Sequence, residues 1–296
     1  MGSQQLHTGV PAGARPLRRR RVAAYRAGPG LDEALDVCRR LAADGIASTI
    51  GYVAPADARP RAATDAYLAA FERLSSEAFD CYVSVKLSTI GFDAALLAEL
   101  QGAAAHADRR LHLDALSPET AEPTWRLLED LPGGARLGTT LPGRWGRSPD
   151  DAARAARLGL AVRIVKGQWP DSAGAGRDRL AEGCLAVVDR LAGHPHGIGV
   201  ATHDTRLLAE ALRRLQRSGT PCEAELFYGL PFRAPALCAR RAGVPIRVYV
   251  PYGEAGAPYG YADLVHKPAA TWWLVQDLLL GKNKTWRGIR RSRTRT

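Results

Sequence analysis

The sequence predicts an α/β protein built as a (β/α)8 TIM-type barrel, with an extra C-terminal helix over the barrel mouth. Three observations carry that expectation. From about residue 31 onward, short apolar or β-branched runs alternate strictly with amphipathic stretches of helix length, the pattern of a parallel sheet whose strands are joined by helices. Eight such runs fall at the even spacing of a barrel. No GxGxxG follows any of them, which counts against the runner-up, a doubly wound open sheet.

The strands are expected at residues 47–53, 82–87, 111–113, 136–140, 162–165, 198–201, 224–227 and 246–250. Helices are expected at 64–74, 94–106, 119–128, 149–158, 177–191, 205–217 and 235–241. Start signals recur at Ser117-Pro118-Glu119, Ser148-Pro149-Asp150 and Asp204-Thr205. Stop signals stand at Asp44-Gly45, Gly133-Gly134, Ser218-Gly219 and Ala242-Gly243. One more helix, near residues 259–280, follows the eighth strand, and it would leave the C-terminal rim where barrel sites are built.

The chain's 296 residues are 46% hydrophobic, enough for one large core. That composition excludes a coiled coil, a disulfide-stapled miniprotein and a disordered chain. The longest strongly apolar stretch, residues 271–280, is far short of the roughly 20 needed to span a bilayer. No apolar stretch follows the basic N-terminal residues, so no secretory signal is read there. Five cysteines without a CxxC pair suggest buried free thiols in a reducing cytosol, hence a cytoplasmic protein.

The formal charge of +11 is concentrated at the ends. Residues 1–30 hold six Arg and no acid, residues 281–296 hold seven bases and no acid, and residues 31–280 hold 28 bases against 30 acids. A groove for nucleic acid would place the excess inside the fold, so no specific nucleic-acid partner is expected. Residues 1–27 and 282–296 are read as basic tails flanking a barrel at 28–281.

In a barrel, function is read at the C-terminal strand ends. Those positions carry Lys86, Asp114, Thr139, Thr140, Lys166, Thr202, His203, Glu225 and Tyr249, a repetition of polar groups that packing does not require. Asp114, His203 and Glu225 suggest a divalent metal, although none of them has local ligand spacing. Lys166 suggests a Schiff base. Lys86, Arg163 and Lys166 suggest clamps for a flavin or phosphate. Residues alone leave the reaction open. His194-Pro195-His196 precedes a strand and is read as a loop at the opposite end.

Five blocks then resemble the signature blocks of bacterial, flavin-dependent proline dehydrogenases, in the same order and spacing. They are Cys81-Tyr82-Val83-Ser84-Val85-Lys86-Leu87-Ser88-Thr89-Ile90-Gly91, Val162-Arg163-Ile164-Val165-Lys166-Gly167, Ala201-Thr202-His203-Asp204, Tyr228-Gly229, and Arg247-Val248-Tyr249-Val250-Pro251-Tyr252-Gly253-Glu254. The resemblance implies a (β/α)8 barrel holding FAD, with a last helix closing over the substrate. It implies oxidation of the C–N bond of a secondary amine to an imine, with electrons passed to a quinone or other acceptor. Lys86, Asp114, Tyr249 and Tyr259 would be catalytic. Thr140, Arg163, Lys166, Gly167, Arg177, Thr202, His203 and Glu225 would hold the flavin, and Trp169, Asp263 and Lys267 would meet the substrate. No metal site is implied. The apolar last helix beside the basic tail would give a peripheral contact with an anionic membrane surface.

The likeness breaks where the family grips its substrate carboxylate. Ala262 and Asp263 stand where the resemblance places two arginines, and losing such a pair of forks costs several kcal/mol of carboxylate binding. Pro142, Glu225 and His266 replace Gln, Gln and Glu of the pattern, and residues 139–145 are read as an unusual loop. Three readings follow: a flavoenzyme retuned to a proline-related or other amine, a relative without flavin that serves as a binding protein or non-redox barrel enzyme, and ordinary proline oxidation.

Overall fold

The computed structural model describes residues 26–253, apart from 56, 115–116, 133, 135, 168–170 and 172–179. Eight parallel strands close into a barrel in sequence order: β1 (Ala47–Tyr52), β2 (Cys81–Lys86), β3 (Leu111–Asp114), β4 (Leu137–Pro142), β5 (Ala161–Val165), β6 (Ile198–Ala201), β7 (Cys222–Phe227) and β8 (Ile246–Tyr252). β8 pairs with β1 from Ala47↔Arg247 to Tyr52↔Tyr252, which leaves no free edge. The expected barrel is present. The further helix expected near residues 259–280 lies outside the described residues.

The helices are α1 (Leu31–Ala43), α2 (Pro60–Ser75), α3 (Ala94–His106), α4 (Pro118–Asp130), α5 (Ser148–Arg157), α6 (Leu180–Arg190), α7 (Thr205–Arg217) and α8 (Arg233–Arg241). α3 and α7 begin at Asp93 and Asp204, whose carboxylates accept backbone N–H groups of the first turn and so satisfy donors with no partner inside the helix. α2 starts four residues before the expected position because Pro60 opens its first turn, where a missing N–H costs nothing. α1 packs against β8 and β1, the seam that a helix following β8 occupies in a regular eight-fold repeat. Arg26 and Ala27, placed in the N-terminal tail by the sequence, bond to the carbonyls of Gly253 and Pro251 beside β8.

One expectation is corrected. Residues 139–142, read as the start of a loop, are buried strand, with Leu141 and Pro142 paired to Ile164 and Val165. Pro142 is tolerated as the last strand residue, where the ladder no longer needs its N–H.

Alternation along the strands sorts side chains into two regions. Ile50, Val83, Val85, Leu113, Val162, Ile164, Val200, Leu226 and Val248 point outward into the apolar shell beneath the helices, with Leu35, Tyr67, Leu97 and Leu208. Thr49, Tyr82, Ser84, Asp114, Thr140, Arg163 and Glu225 bond to one another across the barrel interior. A barrel interior is ordinarily filled by Val, Ile and Leu; this one is filled by charge.

Candidate functional site

At the centre stands Arg163 of β5, 5% exposed. Its Nε donates to Glu225 Oε2 at 2.9 Å and its Nη1 to Asp114 Oδ1 at 3.1 Å, so one guanidinium bridges two buried carboxylates. Nη2 donates to the Tyr82 hydroxyl at 3.1 Å, and that hydroxyl donates to Glu225 Oε2 at 3.3 Å. Thr49 closes the set by donating to Glu225 Oε1 at 3.3 Å. Thr49, Asp114, Arg163 and Glu225 come from the four odd strands, as the members of one interior layer do.

Asp114 is the most heavily held group. Ser84 and Thr140 each donate a hydroxyl hydrogen to it. Burial disfavours its charge, but Arg163, aided by Lys86 and the Ser84 hydroxyl, outweighs burial and holds the carboxyl down at about 2. Burial, reinforced by Arg163, pushes His112 well below the ordinary imidazole value, so His112 is neutral. Because the Thr140 hydroxyl donates to Asp114, His112 Nε2 is the donor in its 2.9 Å bond to Thr140 Oγ1. A side chain at Gly138 would overlap the other ring nitrogen, Nδ1.

Above this layer Lys86, 7% exposed, donates to the Tyr52 carbonyl at 3.2 Å and to the Tyr249 hydroxyl at 3.3 Å. Burial and the Asp114 charge raise the Tyr249 pKa, against the pull of Arg163, so the phenol keeps its proton. Its ring stacks on Phe227 with centroids 5.5 Å apart, and the Arg163 guanidinium lies 5.1 Å from its centroid. A methyl at Gly51 would overlap the Tyr249 hydroxyl. Gly51→Ala is therefore expected to displace Tyr249 and destabilise the protein by about 1–3 kcal/mol, which chemical denaturation checks; unchanged stability would show that the ring yields freely.

The rim residues stand apart from this network. Lys166 pairs with Asp204 Oδ2 at 3.0 Å and is partly exposed. Gly167 has φ +89°, and a side chain there would come within 2.8 Å of Pro142 Cβ, so only glycine keeps bare backbone at that point of the mouth. The buried Thr202 accepts from the Asp204 N–H at 3.1 Å. His203 uses both ring nitrogens on backbone, bonding Pro231 O through Nδ1 and accepting from Phe227 N–H at Nε2, each at 2.9 Å. Burial lowers its pKa to about 4. It pins the β6 and β7 ends together as a neutral ring. Asp114, His203 and Glu225, weighed as metal ligands from sequence, do not converge, because Arg163 stands between the carboxylates and both His203 nitrogens are committed. The His194–His196 pair lies at the far end, with His194 Nε2 2.7 Å from Leu160 O. Trp169, Arg177, Tyr259, Asp263 and Lys267 lie outside the described residues.

Sequence reasoning thus named Lys86, Asp114, Thr140, Arg163, Glu225 and Tyr249, which the barrel brings together. It missed Thr49, Tyr52, Tyr82, Ser84 and His112. The signal for three of these, Tyr82, Ser84 and His112, was present, since His112-Leu113-Asp114 and Tyr82-Val83-Ser84-Val85-Lys86 alternate polar with apolar. In a barrel covered by helices, such alternation means a polar interior. Tyr52 contributes only its carbonyl, which no sequence pattern marks.

The residues at the mouth suit a flat, electron-accepting cofactor that gains negative charge. Lys86 and Lys166 supply cations, the Tyr249 hydroxyl a neutral donor, and Gly167 bare backbone at the β5 end. Arg163 would act from beneath, already balanced by Glu225 and Asp114.

No protein-family model matches the chain. It is 24% identical over 275 residues to proline dehydrogenase 1 of Bacillus subtilis (strain 168), covering 86% of this chain and 89% of that one. The counterpart from Bacillus subtilis subsp. natto is equally similar. Among solved structures, proline utilization A from Bdellovibrio bacteriovorus, inactivated by N-propargylglycine, superposes with a TM-score of 0.70 at 17% identity, over 96% of this chain and 35% of that one. Proline utilization A from Corynebacterium freiburgense gives 0.66 at 18%, over 93% and 33%. The chain spans about a third of those two proteins, whose likeness speaks for the fold. The chain is thus similar to proline dehydrogenase 1 along most of both sequences and shares the barrel fold of the two proline utilization A structures.

Proposed function

We propose that the protein is a proline dehydrogenase-like, FAD-dependent oxidoreductase that oxidises the C–N bond of a proline-related or other amine to an imine. The observation that supports it most directly is the buried Lys86–Tyr249 pair above the Asp114–Arg163–Glu225 layer, at the end of the barrel where catalytic groups belong. When bound, the flavin supplies the two-electron acceptor, and the protein positions and shields the reacting carbon. Lys86, Lys166, Gly167 and Thr202 would hold the flavin edge, with Thr140, Arg163, Glu225 and His203 beneath or beside them. Asp114, ionised throughout the physiological range, fixes the charge under the mouth. Tyr249, protonated, keeps a hydrogen to donate to substrate while it accepts from Lys86. A quinone or other acceptor would take the electrons onward.

The substrate assignment rests on the sequence beyond the described residues. With Ala262 and Asp263 in place of two arginines, a bare carboxylate loses its clamp and meets a like charge. Proline turnover is expected to be weak, and Ala262→Arg with Asp263→Arg should tighten proline binding by about a hundredfold or more. Unchanged proline affinity in that variant would place the anchor elsewhere, and efficient saturation of the unaltered protein by proline would make it an ordinary proline dehydrogenase. One observation favours the reading without flavin: the donors of Arg163 are occupied by Glu225, Asp114, Ser84 and Tyr82. The visible spectrum of freshly purified protein decides between the two. Flavin bands are expected, and a colourless protein that takes up no added FAD would overturn the oxidoreductase.

A further inference from the structure

We propose that His112 is a positioning residue that acts through Thr140, locking the Thr140 hydroxyl onto Asp114 and so fixing the carboxylate charge beneath the mouth. The ring is 1% exposed and stands inside a barrel, where Val, Ile or Leu would serve packing alone. Its Nδ1 is buried with no hydrogen-bond partner among the described residues, and an orphaned polar atom costs free energy that an apolar side chain would not. An imidazole is therefore worth keeping here for its other nitrogen. Nε2 lies 2.9 Å from Thr140 Oγ1 but 3.7 Å from Asp114 Oδ1, too far for a direct bond. The link runs through Thr140, whose hydroxyl donates to Asp114 Oδ1.

The tautomer decides the direction of that chain. A threonine hydroxyl has one hydrogen to give. With the ring proton on Nε2, the ring donates to Thr140 and the hydroxyl hydrogen goes to Asp114, so these three groups share two hydrogen bonds. With the proton on Nδ1, Nε2 competes with Asp114 for the single hydroxyl hydrogen, and only one bond is left. The surroundings aim the ring for the first arrangement. It stacks on Tyr82 with centroids 5.5 Å apart and planes at 29°. Gly138, its partner on β4, leaves room for Nδ1, which an added Cβ would approach to 2.5 Å. His112 thus contributes direction and no charge. Asp114 otherwise faces Arg163, Lys86, the Ser84 hydroxyl and Tyr249, and in so dry a place the loss of one aligned donor is felt by the whole set.

The test is NMR of the full chain, carrying nitrogen-labelled histidine and carboxyl-labelled aspartate, followed by kinetics. Only the kinetic arm rests on the oxidoreductase reading. A neutral ring protonated on Nε2 is expected at position 112, and a ring protonated on Nδ1 would overturn the proposal. His112→Leu should make Asp114 take up its proton at about tenfold lower acidity, the share of one charge-assisted hydrogen bond among several. His112→Gln, whose amide nitrogen can stand near the Nε2 position, should restore most of the original titration. Thr140→Val removes the link, and adding His112→Leu to it should move the Asp114 titration no further. With an amine substrate, His112→Leu should lower kcat by about tenfold at unchanged KM, and His112→Gln should recover it. An Asp114 titration unaltered by His112→Leu overturns the proposal, whatever happens to the thermal transition, because the ring would then serve packing alone. If the leucine variant does not fold, the tautomer and the titrations of Thr140→Val and His112→Gln decide. If the chain turns over no amine, the oxidoreductase reading fails, while the tautomer and the titrations still decide for or against His112.

Discussion

Arg163→Met is expected to destabilise the folded barrel by about 3–5 kcal/mol, the usual consequence of removing one partner from a buried charge pair. Here a single cation separates two carboxylates, Glu225 and Asp114, that are 1% and 9% exposed. The loss should also reverse a pH dependence. In the native protein Asp114 titrates near 2, below its unfolded value of about 3.9. Its contribution to stability is therefore complete above that unfolded value and is lost as pH falls towards 2. Without Arg163, burial is no longer outweighed, and the Asp114 carboxyl is expected to titrate above its unfolded value. Stability of the variant should then be greatest in mild acid and fall as pH rises through neutrality. Guanidinium unfolding at pH 5 and pH 8 measures both effects. Adding Glu225→Gln and Asp114→Asn should return part of the lost stability, because neutral amides do not need the cation. A variant as stable as the native chain at pH 8 would show that the bridge contributes nothing and that water or Lys86 compensates both acids.

That layer also marks where the sequence stops being readable. Strand and helix positions follow from local chemistry: Asp93 and Asp204 announce α3 and α7, and the glycines at 45, 219 and 243, each at positive φ, announce where a helix gives way to a strand. These signals act over a few residues, which is why the eight strands fall where the sequence places them. The pairing of Arg163 with Glu225 and Asp114 links positions 62 and 49 residues apart, and no local pattern encodes which inward residue meets which. Closure of the barrel decides it, by bringing odd strands into one layer. The same limit explains His203. Its position after β6 is legible, but the commitment of both its nitrogens to Pro231 and Phe227 depends on how the β7 end folds back. Polar residues within strands, not only at their ends, were the overlooked signal for Ser84 and His112.

Lys86→Met should leave the barrel folded and lower amine oxidation by about two to three orders of magnitude, the range seen when one preorganised electrostatic group is removed from a site. Lys86 makes no ion pair among the described residues; its bonds run to the Tyr52 carbonyl and the Tyr249 hydroxyl. A buried cation held only by neutral acceptors is costly to keep, and its nearest compensation is the Asp114 charge beneath it. Methionine fills nearly the same space without the charge. The structural cost should therefore be small, about 1 kcal/mol for two acceptors that lose a donor. A function in catalysis and a function in packing separate cleanly on this variant. If Lys86 serves the reaction, kcat falls while the flavin bands and the thermal transition persist. If it serves only to hold Tyr249 against Gly51, the transition drops and turnover per folded molecule stays the same, an outcome that would remove Lys86 from the catalytic set.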